Sequence, residues 1–166
     1  MLNYAPLSSV WATTGLPADV TGTPLAAGMT AAEKLAAIGT WMVAGPMQDV
    51  SVSSVSAYLA VQGKLPRLEA YAAAAPATAA TLAEAAAKSY FDLLPNGVRT
   101  IEMSNATVYA AVQGWLNAWT GDTNTGVTST DVTNILALAA TQIPWWEANG
   151  YPGPININDL AAAGLS

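Results

Sequence analysis

Apolar residues recur along most of this chain in short stripes of helical spacing, cut apart by glycine, proline and polar clusters. Thr30 and Glu33 form a capping box ahead of Leu35, Ile38 and Met42, which predicts a helix that Gly45-Pro46 ends. Asp49 or Ser51 caps the next, whose stripe is Val52, Val55 and Leu59 with Gly63 as its stop. Pro66 opens a third through Leu68 and Tyr71, and Pro76 closes it. Alanine dominates from Ala70 to Ala87, a composition of high helix propensity that lets helices approach closely; Tyr90, Phe91, Leu93 and Leu94 anchor its end before the Pro95-Asn96-Gly97 turn.

Val98 to Met103 reads as an extended connector. Ser104 or Asn105 then caps a helix with Val108, Val112, Trp115, Leu116 and Trp119 on its apolar face, ending at Gly121. After a polar loop, Thr128 to Asp131 starts another helix bearing Val132, Ile135, Leu136, Ala139 and Ile143. Pro144-Trp145-Trp146-Glu147 adds one helical turn, Pro152-Gly153-Pro154 forces irregular chain, and Asn158 caps a last short helix over 159–163.

Residues 1–28 break this pattern. Pro6, Gly15, Pro17, Gly22 and Pro24 interrupt the apolar residues, and neither a helical nor a strand period persists. The segment is expected to be an irregular apolar arm, packed on its own domain or reaching onto a neighbouring subunit, with Leu2, Tyr4, Leu7, Val10 and Trp11 as its candidate contacts. Residues 29–166 form the helical domain, so the expected fold is all-α: a compact multi-helix single domain carrying that arm.

Composition narrows the chemistry. There is no histidine and no cysteine, which excludes Ser-His-Asp and Cys-His catalysis and most zinc sites. Eleven acids against five bases leave no basic footprint for nucleic acid. Charged residues make up 10% of the chain, against about 25% in ordinary globular proteins, so Ser, Thr, Asn and Gln or partner subunits must cover much of the surface. Met1 to Pro17 lacks the layout of a signal peptide, and the long uncharged runs carry too many polar residues for membrane spans.

The remaining chemical candidates are weak. Glu102 and Glu147 cannot be paired from sequence as a glycosidase would require. Lys64 follows Gly63 without the Gly-rich phosphate loop, and Lys88-Ser89 are adjacent on a helix and so face apart. Asp122 to Gly126 has part of a calcium-loop pattern but lacks its acidic fifth and bidentate twelfth ligands, so it reads as a polar interhelical turn. No cofactor or metal is expected. Trp145 and Trp146 with Tyr151 form the densest aromatic group, read as core and interface packing or, alternatively, as a platform for a sugar face or a partner proline.

The runs from Met29 to Ile38 and Asp49 to Ser53, Tyr58-Leu59, Gly63 to Leu65, Pro144 to Tyr151 and Asp159 to Gly164 resemble small alanine-rich proteins of tailed bacteriophages and prophages. That resemblance covers residues 29–165 and implies a product of the structural gene region: a non-enzymatic virion component, tail or tail-fibre associated. Its implied partners are other virion proteins and copies of itself, with neither nucleic acid nor membrane insertion, and its implied location is the particle assembled in the bacterial cytoplasm. A host-surface glycan-binding module using aromatic platforms is the alternative.

Overall fold

The computed structural model describes residues 1–165, and it is mostly helical rather than purely all-α. The elements run α1 (Ala5–Trp11), α2 (Ala31–Gly39), β1 (Met42–Ala44), β2 (Val50–Ser51), α3 (Val52–Val61), α4 (Leu65–Ala74), α5 (Leu82–Leu93), β3 (Thr100–Ile101), α6 (Ala106–Gly121), α7 (Ser129–Ala137), β4 (Gln142–Pro144), α8 (Trp145–Ala148) and α9 (Ile157–Ala162). They divide into two compact units. One comprises Met1–Pro46 with the chain from Thr141 onward, and the other is Met47–Ala140, inserted between these pieces in sequence.

In the discontinuous unit, the N-terminal segment is not an irregular arm throughout. Pro6 occupies the first turn of α1, where a missing N–H leaves no bond unmade, and Asn3 Oδ1 accepts from the Ala5 N–H at 3.1 Å. Leu7 and Val10 on this helix join Leu25, Ala37, Ile38, Trp41, Trp145, Tyr151, Ile155 and Leu160 in one core. The boundary between compact units therefore lies elsewhere than residue 28, because residues 1–28 share a core with α2 and with the chain's C-terminal elements.

Gly22 shows how the rest of the segment is seated. Its φ is +145°, and a Cβ there would lie 2.8 Å from the Thr40 carbonyl oxygen and 2.9 Å from the Trp41 ring. The neighbouring Thr23 carbonyl accepts from Trp41 Nε1 at 2.7 Å, which satisfies the polar edge of a fully buried indole.

Met42 and Ile143, expected on helices, are strand residues. β1 and β4 pair antiparallel in the register Met42↔Pro144, Val43↔Ile143 and Ala44↔Gln142. The capping box of Thr30 and Glu33 starts α2 as expected, but the helix stops at Gly39, where the Thr40 N–H turns back to the carbonyls of Ala37 and Ile38. Similarly, α7 opens on the Thr128–Asp131 box and ends at Ala137.

The inserted unit packs α3 to α7 around Leu59, Leu68, Tyr90, Leu116, Trp119 and Ile135. Each buried leucine or isoleucine contributes about 1.5–3 kcal/mol by leaving water. The alanine-rich stretch is used as anticipated for close approach: Ala83, Ala86 and Ala87 of α5 are buried, and Trp119 Nε1 donates to the Ala83 carbonyl at 3.2 Å. A second antiparallel pair, Val50↔Ile101 and Ser51↔Thr100, joins β2 to β3 and makes part of the expected connector a strand.

Candidate functional site

The aromatic residues singled out from sequence come together in the discontinuous unit, mostly inside it. Trp145 stacks on Tyr151 with centroids 6.1 Å apart and meets Trp41 edge-on at 5.9 Å, while Tyr4 tilts against Tyr151 at 6.0 Å. Leu7, Val10, Trp145 and Tyr151 are buried, which corrects their reading as partner-facing residues: their side chains are spent on the core. Leu2 is exposed, and Tyr4, Trp11 and Trp146 are half-buried, so these four keep surface for a partner. Even Trp11 has a ring face occupied, with Lys34 Nζ 4.8 Å from its centroid.

The Tyr151 hydroxyl is buried without a hydrogen-bond partner among the described residues. Burial raises its pKa, opposed by the nearby backbone N–H of Leu7 in the first turn of α1, which lies short of full hydrogen-bond geometry.

The inserted unit is braced by a polar network that sequence reasoning missed. Asp131, fixed by its capping role, accepts from the Tyr58 hydroxyl at 3.0 Å and lies 3.8 Å from Lys64 Nζ. Lys64 also donates to the Gly126 carbonyl at 2.6 Å, and Asn134 donates to the Tyr58 hydroxyl at 3.0 Å. Burial works to raise the Asp131 pKa but is outweighed by the Thr128 hydroxyl and amide, the Tyr58 hydroxyl and the Lys64 charge, so the carboxyl sits below its usual range. The loop before it is a braced turn, as read from its missing calcium ligands: Asp122 accepts from Tyr71 at 2.6 Å and from the Asn124 amide at 2.9 Å, and Arg67 donates to the Thr123 carbonyl at 3.2 Å.

Every basic side chain is thus engaged within the chain. Lys34 lies over Trp11, Lys64 and Arg67 hold the 122–131 region, Lys88 donates to the Pro76 carbonyl, and Arg99 reaches the Leu94 carbonyl at 3.5 Å. These cations serve as staples.

The inserted unit carries an open apolar groove. It has a volume of about 400 Å³ and runs between β3 and the first turns of α6, lined chiefly by Leu93, Val98, Ile101, Val108, Val112 and Trp115. Ile101, Val112 and Trp115 also line a small apolar pocket of about 20 Å³ and pack against the buried core. At the rim, Val98 is 37% exposed, and Glu102 supplies the groove's charged group. The sequence signal was present in the alternation after Val98 beside the stripe of α6, but only the fold sets the two side by side.

Among the described residues no group of three or more acidic, histidine or cysteine side chains is placed to hold a metal, and no helix is long and apolar enough to cross a membrane. No protein-family model matches the chain, and no curated protein or solved structure matches it.

Proposed function

We propose that this chain is a non-enzymatic structural component of a tailed-phage particle, tail or tail-fibre associated, acting through apolar contacts with other virion proteins. The observation that carries this reading is the apolar groove beside β3. A chain with only 10% charged residues and an open hydrophobic slot suits durable subunit contact better than turnover of a polar substrate. The resemblance of residues 29–165 to phage structural-region products points the same way. The glycan-binding alternative has less support, since Trp145 and Tyr151 stack on each other and are buried.

Mass spectrometry of intact particles, with light scattering on the purified chain, tests the proposal. Its presence in particles at defined stoichiometry is expected. A soluble monomer absent from particles overturns the reading.

A further inference from the structure

We infer that the groove beside β3 receives an extended apolar segment of a different protein, carrying a lysine or arginine opposite Glu102. This deepens the structural reading above and rests on it.

Three observations converge. Among the described residues β3 (Thr100–Ile101) is paired with β2 alone, which leaves its second edge unpaired, and Thr100, Ile101 and the Glu102 that follows the strand line the groove. An extended segment can bond to such an edge while its alternate side chains enter the slot. The slot is apolar along Leu93, Val108, Val112 and Trp115, with a volume of about 400 Å³ that can take apolar side chains. Finally, Glu102 forms no ion pair among the described residues.

Charge decides between a second copy and a different protein. A carboxylate at the edge of an apolar slot favours a cationic partner residue, whose attraction is strengthened as water is excluded. This chain carries eleven acids against five bases, a net charge of −6, so a cationic segment comes more readily from a different protein than from another copy.

The test uses the full chain and two short synthetic peptides of alternating valine and serine, one with a central lysine and the other with glutamate there. Fluorescence anisotropy of the labelled peptides should show the lysine peptide binding about fivefold tighter. Glu102→Lys should reverse that order. Ala111→Arg, at an exposed groove position, should abolish binding of both while circular dichroism shows the fold intact. No saturable binding, or a preference indifferent to the charge at residue 102, overturns the inference. So does a dimer in sedimentation that Ala111→Arg dissolves, because the occupant is then a second copy. Chain found in particles without peptide binding removes this inference alone, whereas peptide binding by a chain absent from particles removes the virion reading alone.

Discussion

The backbone N–H of Trp145 donates to the carbonyl of Trp41 at 2.9 Å, and the two rings meet edge to face with centroids 5.9 Å apart. This contact continues the β1–β4 ladder into the aromatic core, so one pair of residues joins backbone pairing to side-chain packing. Trp145→Ala should cost about 3–5 kcal/mol. Urea unfolding followed by near-ultraviolet circular dichroism measures the loss, and a cost under about 1 kcal/mol would contradict the core assignment.

Tyr151 and Tyr90 make a matched comparison. The Tyr90 hydroxyl shares a 2.7 Å hydrogen bond with Ser56, whereas the Tyr151 hydroxyl has no partner among the described residues. Tyr90→Phe should therefore lose about 0.5–1.5 kcal/mol, while Tyr151→Phe should be neutral or stabilising because it removes an unsatisfied buried group. Parallel denaturation curves of the two variants decide the point.

Acid should weaken the inserted unit through Asp131. Its folded-state pKa is depressed, so its contribution is present above the unfolded value of about 3.9 and is lost as pH falls through the lower folded value. Glu33, Asp49 and Asp122 are depressed by hydrogen bonds to Thr30, Ser104 and Tyr71 respectively, and they act in the same direction. The urea midpoint should be level from neutral pH to about pH 5 and fall below pH 4. Asp131→Asn should lower the midpoint at neutral pH and make the acid-side slope shallower.

Gly22 and Gly15 both have positive φ, +145° and +90°, but differ in surroundings. A Cβ at Gly22 meets the Thr40 backbone and the buried Trp41 ring, while one at Gly15 meets nothing within 4 Å. Gly15→Ala should cost only backbone strain, about 1–3 kcal/mol, and Gly22→Ala more, because its obstacle is main chain that cannot swing aside. Thermal melts of the two variants test the order.

The contrast between helix ends and strands explains how much could be read in advance. Thr30 with Glu33 and Thr128 with Asp131 act within three or four residues, so their capping bonds are written locally. Gly63, at φ +66°, follows α3 for the same local reason. The last helix starts earlier than expected, on Asn156 rather than Asn158, because Asp159 answers Asn156 across a capping box. By contrast, the pairing of Val43 with Ile143 depends on residues far apart in the chain, and short apolar runs there carry no period that separates strand from helix.

The candidate site divides along the same line. Sequence singled out Leu7, Val10, Trp145 and Tyr151 as candidate partner contacts, and the fold instead buries them within their own unit. In the sequence, Val98 stood only in an extended connector and Glu102 only as an unpaired carboxylate, because their place in a groove exists only once β3 lies beside α6.

By itself, then, the sequence determined where most helices begin and stop, excluded histidine and cysteine chemistry, and showed that apolar surface would need burying. Tertiary structure alone decided which surface was buried internally and which stayed open. Capping and composition act over a few residues or none, whereas burial depends on which distant segments arrive at the same place.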